Sequence, residues 1–156
     1  MPQATDLTAT IVPALCYRDP MAMFHWLEAA FGFEPSLLIT NVDGTLGHSQ
    51  MAHGNGMIIG GSEWSADHKS PATLDGKNTQ TDHVHLDEDL AAHCERARAA
   101  GATIIAEPEV QFYGARTYRA RDAEGHIWIF SQAEQDILPE DWNMHGGMTQ
   151  KTWPST

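Results

Sequence analysis

His83 and His85 stand two residues apart in the stretch TDHVHLDED, residues 81–89. Alternate residues of a strand share one face, so both imidazoles project the same way. Two imidazoles on one face, with acids beside them, are half of what a divalent metal requires. A neutral imidazole is also suited to take a proton from a carbon next to a carbonyl near neutral pH. His48 and His53 are the further donors that could complete a metal set. Arg116, Arg119 and Arg121 fall close together and suffice to hold one carboxylate or phosphate. Their alternative is ion pairing with the 21 acidic residues of the chain. Cys16 and Cys94 form neither a CxxC pair nor a disulfide framework and read as small, half-buried, reduced residues.

The elements that must position these groups come in two series. IVPALCYRD alternates as a strand and stops at Asp19-Pro20, an N-cap followed by proline at the first helical position. MAMFHWLEAAFG then carries Phe24, Leu27 and Phe31 at helical spacing and ends at Gly32. PSLLITN, TLGHSQMA and MIIGGSE read as strands separated by the turns Asp43-Gly44 and HGNG. The same order follows again. DHVHLD is a strand, Asp87 or Asp89 caps LAAHCERARAAG, and ATIIAEPEV, ARTYRARD and HIWIFSQ are strands. The chain is thus β-α-β-β-β twice over, with module one at about 8–63, a polar linker at about 64–80 and module two at about 81–132. An extension from about 133 to 156 carries Trp142 and Trp153, with little periodicity; it is expected to lie over the core or on a partner subunit.

Composition bounds the function. The chain has 156 residues, 42% of them apolar, which is enough for one folded domain. No run approaches the ~18 apolar residues of a membrane span. The start MPQATDLTATIVPAL lacks a basic region followed by an apolar one, so the expected location is cytoplasmic. A net charge of -12 repels phosphate backbones and argues against nucleic acid as a partner.

The stretches YRDPMAMFHWLEAAFGFEP, HGNGMIIGG and YGARTYRARDAEGHIWIFS, in this order, resemble the vicinal oxygen chelate superfamily of glyoxalases, extradiol dioxygenases and bleomycin-resistance proteins. RDAEGH looks most like the bleomycin-resistance or PhnB-like branch. The resemblance covers roughly residues 8 to 132. It implies an α+β fold in which two βαβββ modules form one curved mixed sheet, helices outside, with a concave face for a ligand. It also implies a homodimer with the pocket at or near the dimer interface.

Metal-using relatives place donors on the first and last strands of each module. Here those places fall at Val12, Ile59 and Ile129, all hydrocarbon, and at one of Thr81, Asp82 or His83. Val84 and Leu86 should face the helix, which sends His83 and His85 to the concave side. The expected lining is therefore Val12, Ala14, Cys16, Ile59, Ile127 and Ile129, with His83 and His85 as its polar part. Trp64, Phe112 and Tyr113 are aromatic candidates from flanking loops, and Arg119 is an anion anchor or a surface ion pair. Trp26, Trp128 and Phe130 are expected in the core.

The leading expectation is a metal-independent protein that sequesters an aromatic or amphipathic small molecule, such as an antibiotic, with no cofactor. The alternative is an enzyme, a lyase, isomerase or dioxygenase. It would use His83 and His85, either with a divalent metal completed by His48 or as metal-free bases.

Overall fold

The computed structural model describes residues 9–144 and 146–154. Module one contains β1 (Ala14–Tyr17), α1 (Pro20–Phe31), β2 (Glu34–Thr40), β3 (Leu46–His53) and β4 (Gly56–Ser62). Module two contains β5 (Thr81–His85), α2 (Leu90–Ala99), β6 (Thr103–Val110), β7 (Ala115–Arg121) and β8 (Ile127–Ala133). Each module has its own four-stranded sheet, in the orders β1-β4-β3-β2 and β5-β8-β7-β6. The pairs β1–β4 and β5–β8 are parallel and the rest are antiparallel. β1 and β5 are both edge strands.

Local chemistry explains the boundaries. The Asp19 carboxylate accepts from the Ala22 N–H, Pro20 sits at the helix start, and Gly32 ends α1 in the left-handed region at φ 75°. Asp89, rather than Asp87, caps α2 by accepting from the Ala91 N–H. Val12 lies outside β1, which corrects the longer strand read from alternation. Pro13 has no N–H to give the ladder, so regular pairing begins at Ala14.

One apolar core joins the modules. Met23, Phe24, Leu27 and Phe31 of α1 meet Leu90, Cys94 and Ala97 of α2, with Tyr118, Trp128 and Phe130 beneath. Trp128 and Phe130 are fully buried, and Trp26 packs partly buried at the margin. The two helices also cap each other. Arg96 donates to the Ala29 and Glu28 carbonyls at 2.8 and 2.9 Å, and Trp26 Nε1 donates to the Ala100 carbonyl at 2.8 Å. These bonds satisfy carbonyls that a helix end otherwise leaves without partners.

A second seam is built by the turn between β7 and β8. Tyr17 Oη and Trp128 Nε1 donate to Asp122 Oδ2 at 2.7 and 3.1 Å. Glu124 accepts from the Arg18 and Asp19 amides at 2.6 and 2.9 Å and from Ser70 Oγ at 2.7 Å. His126 Nε2 lies 2.8 Å from the Cys16 carbonyl. Residues i, i+2 and i+4 of RDAEGH thus all reach module one or the linker, which fixes β1 against module two.

The extension folds back on the β6–β7 turn. The Glu134 and Gln135 amides donate to the Gly114 carbonyl, and Trp142 packs on Phe112 and Tyr113. Gly114 has φ 91°, and a Cβ there would overlap the Gln135 carbonyl, so both conformation and space require glycine. Trp153 remains 74% exposed. Among the described residues, no helix is long and apolar enough to cross a membrane.

Candidate ligand-binding site

Strand register gives the open faces directly. In module two, His83 pairs with Ile129, which pairs with Arg119, and His85 pairs with Ser131, which pairs with Thr117. Val84 packs on the core and Leu86 is buried, so alternation turns His83 and His85 outward, as the sequence requires. In module one the equivalent row is Ala14, Ile59, Gln50 and Leu37. His83, Ile127, Ile129 and Arg119 therefore share one face, and Ile59 lies on the matching face of the other sheet.

A hollow lies between the modules rather than on either face alone. It is a cleft of about 790 Å³, within the range of small-molecule sites. Ile11, Pro13 and Val84 supply its accessible apolar surface, while Phe33, Met57, Ile58 and Trp128 border it as buried core residues. His53, Asp82, His83, His85 and Asp87 supply its polar surface. The free edge of β5 forms one wall, and the HGNG turn with the segment around Pro13 forms the other. Of the residues singled out from sequence as lining, only His83 and His85 border this cleft; Ile11 and Pro13, either side of Val12, also do.

The others go elsewhere. Ile127, Ile129 and Arg119 continue across the face of module two, away from the β5 edge. Trp64 is 74% exposed beside His68. Phe112 and Tyr113 form an aromatic cluster with Trp142. Arg116 bonds Glu134, and Arg121 donates to the Gly76 and Gly125 carbonyls, while Arg119 is exposed and makes no ion pair among the described residues. The Cys16 thiol faces the Ser62 and His68 carbonyls, and burial, reinforced by Glu63 and Glu124, pushes it up to about 11. Such a thiol is protonated at neutral pH and is not a nucleophile.

The donor set can be tested against a metal. Ala14 and His83 are equivalent, since they pair with Ile59 and Ile129 respectively. Val12, two residues before Ala14, therefore corresponds to Thr81, two before His83. The four places then carry Val12, Ile59, Thr81 and Ile129, which offer hydrocarbon and a single hydroxyl. A divalent ion takes imidazole, thiolate or carboxylate, so these residues do not fit one. His48 lies on β3 of the other sheet, 3.2 Å from the Gln50 amide, and does not converge with His83 and His85.

One group of donors does converge among the described residues: His53, Glu88 and His93 lie within 4.8 Å of one another. Sequence reading placed His93 only as one position of a helix, because its partners are distant in the chain. Its Nδ1 lies 2.6 Å from Tyr118 Oη and its Nε2 2.9 Å from the Phe31 carbonyl. Nε2 must donate to that carbonyl, which leaves Nδ1 to accept from the tyrosine. Both nitrogens are occupied, Nε2 in joining α2 to the end of α1 and Nδ1 in joining α2 to β7. Burial lowers the His93 pKa, so the 3.8 Å approach of Glu88 is a contact with a neutral ring, not an ion pair. Burial also lowers His53, while it raises Asp82, which is bonded to Gln80. His85 Nδ1 lies 2.8 Å from Ser131 Oγ.

Comparison with known proteins agrees with this architecture. Residues 9–130 match the Glyoxalase/Bleomycin resistance protein/Dioxygenase superfamily. TioX from Micromonospora sp. ML1 is 31% identical, with a TM-score of 0.65 over 80% of this chain and 98% of that one. The fosfomycin resistance protein FosX from Listeria monocytogenes is 15% identical, with a TM-score of 0.60 over 86% and 98%. A family enzyme from Burkholderia phytofirmans PsJN is 18% identical, with a TM-score of 0.58 over 82% and 98%. No curated protein matches. With all of module one and nearly all of module two inside the matched span, the chain belongs to the glyoxalase/bleomycin resistance protein/dioxygenase superfamily.

Proposed function

We propose that the protein binds an aromatic or amphipathic small molecule, without a metal, and so sequesters it. The observation that carries this reading is the inter-module cleft, with accessible apolar surface at Ile11, Pro13 and Val84 and polar groups at His83 and His85. Planar apolar groups gain from leaving water in such a hollow, while a few hydrogen-bonding groups orient them. The names of the family and of the fosfomycin resistance protein support an antibiotic as the ligand. Two features support a homodimer: the free edge of β5 and the exposed faces of both sheets. The working location is the cytoplasm.

Calorimetric titration with a panel of aromatic antibiotics, with elemental analysis of the purified protein, tests the reading. Stoichiometric binding by metal-free protein is expected. A tightly held Zn, Ni, Mn or Fe, whose removal abolishes binding, overturns it.

The bond between His85 and Ser131 favours a second reading, in which the site is enzymatic. Serine holds the imidazole from one side and leaves Nε2 to act as a base on a bound ligand. Turnover of a bound compound by wild type, lost in His85→Ala while binding persists, distinguishes this reading from sequestration.

A further inference from the structure

The cleft also carries information about the charge of its occupant. Among the described residues, no lysine or arginine lines it. Asp82 and Asp87 do, and the other titratable groups of the lining are the imidazoles of His53, His83 and His85. The charges that act on His53 from the surrounding elements are those of Glu88, Glu34 and Asp87, all negative. Arg119, the cation on the same sheet face as His83, stands two strands from β5, about 10 Å away at ordinary strand spacing. The protein as a whole carries -12, so the long-range field draws in cations and repels anions.

Within the small-molecule reading given above, on which this inference rests, we propose that the cleft takes a cationic amphipathic ligand, its apolar body against Ile11, Pro13 and Val84 and its positive group toward Asp82 and Asp87. The cleft makes the site; its charge selects the occupant. An anion would enter against four carboxylates with no basic side chain in the lining to meet it. A neutral ligand would gain the apolar contact alone. Asp82 is the sharper determinant of the two lining acids, because it is partly shielded from water and bonded only to the neutral Gln80 amide. Asp87 is exposed and acts mainly on approach.

The test uses three fluorescent aromatic probes on the full chain at neutral pH and low salt. They are 9-aminoacridine (cationic), N-phenyl-1-naphthylamine (neutral) and 1-anilinonaphthalene-8-sulfonate (anionic). The cation is expected to bind about tenfold or more tighter than the anion, a preference that shrinks as salt rises. Asp82→Asn is expected to weaken the cation about tenfold and leave the neutral probe unchanged. Asp87→Asn, at an exposed position that folding does not need, should weaken the cation less and in the same direction. If the neutral probe binds and the cation shows no preference, the charge assignment fails and the hollow stands. If no probe binds, the hollow itself fails and the assignment with it. If binding weakens as protein concentration rises, a second copy of the chain occupies the cleft, which also overturns the assignment.

Discussion

The two modules lay their strands in the same order and pair them in the same register, yet they equip equivalent positions differently. The row Ala14, Ile59, Gln50, Leu37 in module one is uncharged throughout. The corresponding row in module two reads His83, Ile129, Arg119, Ala106. The middle strand keeps isoleucine in both, and the edge and third strands change from alanine and glutamine to histidine and arginine. The backbone frame therefore needs a hydrocarbon at its centre and tolerates anything soluble at its margins. Ionisable side chains stand in the module-two row only, and His83 among them lies at the β5 edge, where the other module comes close enough to close a cleft.

The comparison can be broken most severely at the seam. Asp122→Ala removes the acceptor of both Tyr17 and Trp128 in a buried site, and the loss of stability should be about 3–5 kcal/mol in urea denaturation. A single cooperative transition, merely shifted, is expected, because the helices share one core. Two separate transitions would mean that the modules are independent units.

A smaller effect, on the acid side, comes from the histidines that burial keeps neutral. His93 and His53 have lowered pKa values in the folded chain, whereas in the unfolded chain they titrate near about 6.5. As pH falls below that value the unfolded chain binds protons that the folded chain does not, so stability declines. The urea midpoint should drop between about pH 7 and pH 5.5, and His93→Gln should lose part of that drop along with some stability at pH 7. A midpoint that stays constant over this range would show that neither imidazole is held neutral.

Ligand binding should separate the modules more finely. The double change His83→Ala with His85→Ala should weaken an aromatic ligand by about tenfold, measured by calorimetry. Cys16→Ala, on the equivalent strand of module one, should leave it within about twofold. An equal loss from both would place the ligand across both sheet faces. Smallest of all, Arg119→Gln should change stability by no more than about 0.5 kcal/mol, since the guanidinium is exposed and makes no ion pair among the described residues.

Much of the frame was legible because it is local. Asp19-Pro20 and Gly32 bound α1 by cap chemistry, and the alternation of His83, Val84, His85 and Leu86 assigns their faces without any tertiary information. The start of β1 was misjudged for a local reason as well, since alternation through Val12 ignores what Pro13 does to the ladder. What was not legible depends on distance in the chain. Nothing near His93 announces that Phe31 and Tyr118 will occupy its nitrogens, and nothing near Val84 announces that Phe33 will face it across a cleft. The loop aromatics Trp64, Phe112 and Tyr113 could be named as candidates, but their positions follow from contacts with His68 and Trp142 that no periodicity encodes.

The turn that holds the seam has a consequence for how the chain acquires its structure. Tyr17 and Asp122 are 105 residues apart, and Cys16 and His126 are 110 apart. During synthesis β1 emerges long before the turn that accepts its tyrosine hydroxyl. Closing so large a loop is entropically unfavourable until other contacts have drawn the ends together. The helix pair, whose apolar faces meet over a shorter span, is expected on loop-closure grounds to assemble before the turn reaches its partners. The seam should thus be a late step in folding, and slowed refolding in Asp122→Ala would instead place it early.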